Sequence, residues 1–169
     1  MLVLDTILGG STSSRLFQRI REDLGLAYSI GSYSREHHDA GKWVVYGSVE
    51  PDRLNECVAT VLEELQQARN DGITEEELAS VKQQVEGGIL LSLEDTWSVA
   101  ARNGSHQLRY GRVIPVEQVV AEVDAVSCAD VARVTSRMLR EDAMHLAVIG
   151  PDVAPEALAE LLTFAPAAS

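Results

Sequence analysis

Positive charge is scarce in this sequence. Fourteen lysines and arginines stand against 26 aspartates and glutamates, a formal net charge of -12. That balance argues against recognition of nucleic acid through phosphate contacts and is compatible with basic or extended peptide partners. Cysteine is scarcer still: Cys57 and Cys128 show no CxxC spacing, and each falls on an apolar helical stripe, so both are read as structural thiols. No run of about 18 apolar residues is present, so membrane insertion is not expected. Met1 to Leu4 carries no basic n-region and is too short for a signal peptide. The expectation is a soluble chain, cytoplasmic in placement.

Histidine is present without a metal pattern. His37, His38, His106 and His145 belong to neither HExxH nor HxxEH, so no hydrolytic zinc site is legible. His37, His38 and Asp39 are adjacent, and neighbouring strand residues point to opposite faces, which makes a solvated turn the better reading than a metal site. His106 is expected on a helix surface and His145 on a strand. Internal repeats are lacking, and the APAAS tail, residues 165–169, reads as disordered.

What remains is a chain of 169 residues, enough for one domain that buries roughly 70% of its surface, leaving about 8,000 Å² exposed. Leu2 to Leu8 suits a helix stopped by Gly9-Gly10, with glycine in the left-handed geometry of a C-cap. Ser13 or Ser14 caps a second helix in which Leu16, Phe17, Ile20 and Leu24 recur at helical spacing and Gly25 ends the run. Arg15, Arg19 and Glu22 are expected to face solvent. Tyr28 to Arg35 and Lys42 to Val49 read as a hairpin, with Trp43, Val45, Gly47 and Val49 on one face and Lys42, Tyr46 and Ser48 on the other.

Helical stripes follow. Pro51 opens one carrying Leu54, Cys57, Val58, Val61, Leu62 and Leu65 up to Gly72, and Thr74 with Glu77 forms a capping box for Leu78, Val81, Val85 and Ile89. Ser92 or Glu94 begins a helix with Trp97, Ala101, Gly104 and Leu108 to about Gly111. Pro115 and Ser127 open two shorter ones, and Met144 to Ile149 reads as a third strand ended by Gly150-Pro151. The pattern predicts an α+β two-layer sandwich, a mainly antiparallel sheet packed against a block of helices, as a single domain over residues 1–164.

Chemistry concentrates in one stretch. GGSTSS lacks the lysine and spacing of a phosphate loop, and its serines lack the context of a nucleophile elbow, so cap and turn roles fit better. Arg21, by contrast, lies in the last turn of its helix, where the dipole favours a cation, and Gly25 reverses the chain so that Tyr28 starts the strand nearby. A guanidinium and a phenol converging there are candidate donors to a peptide carbonyl or to the oxyanion of a tetrahedral intermediate. A C-terminal arginine and a half-buried tyrosine are equally ordinary structural features, and spacing alone does not decide between the two readings.

The run LGGSTSSRLFQRIREDLGLAYS, from Leu8 to Ser29, resembles the C-terminal half-domain of pitrilysin-type inverted-zincin metallopeptidases of the mitochondrial-processing-peptidase-like branch. The resemblance continues through Gly72-Ile73-Thr74-Glu75-Glu76-Glu77-Leu78, Leu91-Ser92-Leu93-Glu94 and Val126-Ser127-Cys128-Ala129-Asp130-Val131. It implies one half of a clamshell that closes around an extended peptide, with zinc in the complete enzyme held by HxxEH on the other half and none bound by this chain. Arg21 and Tyr28 match the family's arginine and tyrosine, and the resemblance implies that they are catalytic and substrate-binding donors. Ser11 and Thr12 depart from the family's GGGMSS. The domain's opening strand is expected to be missing before Leu2. The implied partner is a zinc-bearing N-terminal half-domain or homologous subunit; by itself the chain is expected to be inactive. The competing reading is a non-catalytic scaffold or core subunit of the same fold; an independent small-molecule binding module has no sequence feature behind it.

Overall fold

The computed structural model describes residues 1–37 and 39–164. Its first element is α1 (Leu2–Leu8), whose Val3, Leu4, Ile7 and Leu8 are buried. The helix stops at Gly9 as expected, but not by a left-handed turn: Gly9 has φ -157°, an angle open to any residue. Glycine is required for a different reason. A Cβ there would lie 2.7 Å from Ser32 Oγ and 2.9 Å from the Ser32 nitrogen, because the Ser32 N–H donates to the Gly9 carbonyl at 2.9 Å. Gly9→Ala is therefore expected to cost about 1–3 kcal/mol by overpacking against main chain, read as a lowered denaturation midpoint. An unchanged midpoint would refute this contact.

Ser32 belongs to β1 (Ala27–Glu36), which pairs antiparallel with β2 (Gly41–Val49). The Asp5 carboxylate of α1 accepts from Ser32 Oγ and from Trp43 Nε1, both at 2.6 Å, so one side chain ties the helix to both strands. The faces are as the alternation predicts. Trp43, Val45 and Val49 pack on apolar clusters, whereas Lys42, Tyr46 and Ser48 are exposed.

After a 3-10 turn at Pro51–Arg53 come α2 (Leu54–Asp71), ended by Gly72 at φ +73°, and α3 (Glu75–Ser92). The Thr74 side chain accepts the Glu77 N–H at 3.1 Å, but the reciprocal half of the expected capping box is absent. Arg15 takes the Glu77 carboxylate instead. Next come α4 (Thr96–Tyr110), α5 (Val116–Asp124), α6 (Cys128–Met138) and α7 (Pro155–Leu161). Asp95, not Ser92 or Glu94, caps α4, accepting the Ser98 N–H at 2.7 Å.

The box that does close is Ser127–Asp130 on α6. Arg133 and the Ser127 hydroxyl and N–H hold the Asp130 carboxyl down to about 2. A depressed carboxyl contributes stability that is complete above its unfolded value, about 3.9, and is lost as pH falls through the folded value. Acid titration should thus fray the start of α6 between those limits, and Asp130→Asn should remove that transition; an identical acid profile in the variant would contradict the cap.

Two apolar clusters result. α1, α2, α3, α5 and α6 enclose one through Leu8, Leu65, Leu78, Val123 and Val131. Leu16, Ile20, Leu26, Ala27, Ile30 and Cys57 form the other, and Trp43 and Val61 pack against both. Cys57 is buried, which pushes its thiol up, and Cys128 is half-buried; both are free. The architecture is α+β, an antiparallel sheet on a block of helices.

Two expectations need correction. Met144 to Ile149 forms no strand, and the sheet of the described residues has two strands, not three. Apolar β-branched residues supply propensity, but a strand exists only with a neighbour to hydrogen-bond, and neither β1 nor β2 pairs with this segment. The α4 stripe does not pack either: Trp97 is 78% and Leu108 90% exposed, and α4 buries no residue. Exposed faces of this kind raise the total surface to 10,868 Å², against the roughly 8,000 Å² that size scaling predicts. No helix of the described residues is long and apolar enough to cross a membrane.

Candidate substrate-facing site

The turn after α1 is built from its own hydroxyls. Ser14 Oγ donates to the Ser11 carbonyl at 2.6 Å, the Ser11 and Ser13 hydroxyls lie 3.1 Å apart, and Gln18 Nε2 donates to the Thr12 carbonyl at 2.8 Å. These contacts are those of a turn; Ser14 donates rather than caps. The helix that follows is anchored by Leu16 and Ile20, both at 0% exposure.

Its winding is not the expected one. From Phe17 to Asp23 it is a π-helix, closed by the Leu24 N–H donating to the Arg19 carbonyl at 3.2 Å, before Gly25 turns the chain at φ +56°. Such segments concentrate at functional sites. Arg15 at its head also departs from expectation. Rather than facing solvent, it is half-buried, with Nε and Nη2 each 2.7 Å from a Glu77 carboxylate oxygen and Nη2 3.0 Å from the Gly72 carbonyl. The Glu77 hydrogen bond raises the Arg15 pKa despite burial. This fork locks the helix to the α2–α3 turn. Arg19 and Glu22 stay exposed; Arg19 lies 3.7 Å from Glu64, whose carboxyl is pushed up by burial and partly held down by Arg19.

Tyr28 is placed by a second irregularity. Ser29 pairs with Ser48 while Ala27 pairs with Val49, so Tyr28 is an extra residue on β1, a β-bulge. Strict alternation would send Tyr28 inward with Ile30 and Ser32, both buried. With the bulge, Ala27 takes the inward position and Tyr28 stands 86% exposed. Bulge and π-turn together bring the expected pair into proximity. The Arg21 guanidinium carbon lies 4.9 Å from the Phe17 ring centroid and 6.0 Å from that of Tyr28, an orientation favoured by cation–π attraction. Glu22 is a loose neighbour of Arg21 at 3.8 Å. Among the described residues nothing hydrogen-bonds to the Tyr28 hydroxyl. Guanidinium and phenol thus present donors side by side on an open surface.

Among the described residues no group of three or more His, Cys, Asp or Glu is placed to hold an ion. His106 sits on α4, with Nδ1 accepting the Ile114 N–H at 3.2 Å, and burial lowers its pKa. His145 is exposed and on no strand. His37 lies in the hairpin turn, and His38 falls outside the described residues.

Sequence comparison decides the family. Residues 1–85, half of the chain, match the family described as the peptidase M16 inactive domain. The chain belongs to that family. The M16 inactive domain found here is 40% identical over 151 residues to a Bacillus subtilis protein named as an uncharacterized zinc protease, YmxG, a match spanning 89% of this chain and 37% of that protein. A Streptomyces coelicolor protein named as a zinc protease is 36% identical, over 89% of this chain and 33% of its own length. The chain therefore spans about a third of the curated relatives that it matches. In fold it resembles the crystal structure of a peptidase M16 inactive domain from Pseudomonas fluorescens, with TM-score 0.73 and 18% identity over 82% of this chain and 33% of that one. The M16 inactive domain is thus a domain of a zinc-protease family.

Proposed function

We propose that this chain is the substrate-binding half of a zinc-dependent endopeptidase, whose zinc motif lies on another domain or chain, and that Arg21 and Tyr28 donate to the peptide carbonyl and its oxyanion. The observation that carries this reading is the convergence of the two side chains through a π-turn and a bulge, which turns out of the core a tyrosine that alternation would bury.

When a nucleophile adds to a peptide carbonyl, negative charge collects on the carbonyl oxygen. Arg21 offers charge-assisted N–H donors and Tyr28 an O–H donor from adjacent elements, so one oxygen can receive both. In water such bonds are worth only about 0.5–1.5 kcal/mol. Tyr28 is almost fully exposed here, so the donors gain strength only when a second body covers them and excludes water. A zinc-bearing N-terminal half-domain or homologous subunit closing over an extended peptide supplies that cover. The metal chemistry belongs to that partner.

Reconstitution tests the proposal. The chain is mixed with a zinc-bearing half from a close relative and assayed on basic peptides, alongside the Arg21→Ala/Tyr28→Phe double variant. Turnover that depends on the wild-type pair at constant zinc content supports the donor role. Stable association without turnover, or equal turnover in the double variant, favours a scaffold and overturns it.

A further inference from the structure

Half of the twelve arginines in this sequence have an acidic partner among the described residues. Arg15, Arg19, Arg21, Arg53, Arg133 and Arg140 each sit at ion-pair distance from a carboxylate. Arg35, Arg69, Arg102, Arg109, Arg112 and Arg137 do not, among the described residues, although acids outnumber bases by 26 to 14 in the sequence, and of these six Arg35 and Arg109 come together. Both line the same cavity of about 470 Å³, which lies between Leu2 of α1, the end of β1 and the last turn of α4, with Ser34, Glu36 and His37 completing its wall.

Two further observations single out this place. Arg35 is directly opposite Lys42 in the hairpin register, and like charges in that relation repel. Arg109 is aimed by a main-chain group, its Nη2 donating to the Glu36 carbonyl, which holds the guanidinium in position without neutralising it. A repulsive cross-strand pair beside an oriented, uncompensated guanidinium is an arrangement that a bound anion would stabilise.

We propose that this cavity binds the free C-terminal carboxylate of a peptide. Arg35 and Arg109 would supply the forks, Ser34 a hydroxyl donor, and Leu2, 50% exposed, an apolar wall for the terminal side chain. Glu36 on the wall and the net charge of -12 disfavour a phosphate dianion relative to a single negative charge. This site is independent of Arg21 and Tyr28, near the opposite end of β1.

The test titrates the protein with acetyl-Ala-Ala-Leu as the free acid and as the amide, following the arginine side-chain N–H signals by NMR, with inorganic phosphate as competitor. The free acid is expected to saturate and to bind at least about tenfold more tightly than the amide, and to weaken in high salt. Arg35→Gln/Arg109→Gln should lose about tenfold in affinity, and Lys42→Gln, a surface change that leaves the fold intact, about threefold. Arg137→Gln, which removes an exposed arginine outside the cavity, should bind as the wild type does. Equal binding of acid and amide, phosphate binding tighter than the free acid, or undiminished affinity in both the double variant and Lys42→Gln would overturn the proposal.

Discussion

Replacing Arg21 by alanine in an assembled two-half enzyme is expected to lower kcat/KM on a peptide by about 10²- to 10³-fold, the range for removing one donor from a water-excluded oxyanion site. Tyr28→Phe, which deletes one hydroxyl and keeps the ring under the Arg21 guanidinium, should cost less, about tenfold to a hundredfold. If both donors serve one oxygen, the double variant loses less than the product of the single losses, because either deletion already disrupts the shared geometry. KM should move little, since the donors strengthen their bonds as charge develops rather than in the ground state. Zinc content must stay unchanged, because neither Arg21 nor Tyr28 belongs to a group of metal-ligating side chains among the described residues. Strict multiplicativity, or a loss confined to KM, would mean that the pair only binds ground-state substrate.

Leu16→Ala is expected to destabilise the protein by about 2–5 kcal/mol, since Leu16 is fully buried and its truncation leaves a cavity under the π-helix. For a chain of this size that corresponds to a fall in Tm of very roughly 6–15 °C. Leu108→Ala serves as the contrast. Both leucines sit on apolar stripes at helical spacing, yet Leu108 is 90% exposed, and its truncation should stay within about 0.5 kcal/mol. Calorimetry of the two variants separates them, and similar losses in both would mean that the α4 face is covered in solution.

That pair of leucines shows what periodicity tells and what it leaves out. Spacing marks a helix and its apolar side, as it does for α1, α2, α3 and α6, but whether another element covers that side is a property of the whole fold. Trp97 and Leu108 meet every local criterion for a core stripe and face outward. Met144 to Ile149 has strand residues without a strand neighbour, and pairing is likewise non-local. Glycine and cap signals were legible at Gly25, Gly72, Gly111 and Ser127. At Gly9 the residue was legible and its reason was not, because the reason is Ser32, 23 positions along the chain. Arg15 looked like a surface cation because its partner Glu77 is 62 residues away.

Within the candidate site, the convergence of Arg21 and Tyr28 followed from helix, glycine turn and strand in succession. The means of convergence did not. Leu16, Phe17, Ile20 and Leu24 fit an α-helical period, which hides the π-turn, and a bulge leaves no mark in residue type. The parity of Tyr28 with Ile30 and Ser32 was the available signal: an exposed tyrosine in phase with buried neighbours requires a break in the alternation.

Each of those two irregularities accommodates one residue beyond the regular count. A turn closed from Leu24 to Arg19 encloses one residue more than an α-turn, and Tyr28 is surplus to the ladder beside it. Removing one residue between Phe17 and Asp23 would let the helix rewind and swing Arg21 around its axis by about 100°. Removing one between Leu26 and Ser29 would restore the ladder and leave no extra position from which a side chain is turned out of the core. Competence at this site is therefore written partly in chain length, so that relatives can be sorted by counting residues between Gly10 and Gly31 before any side chain is compared.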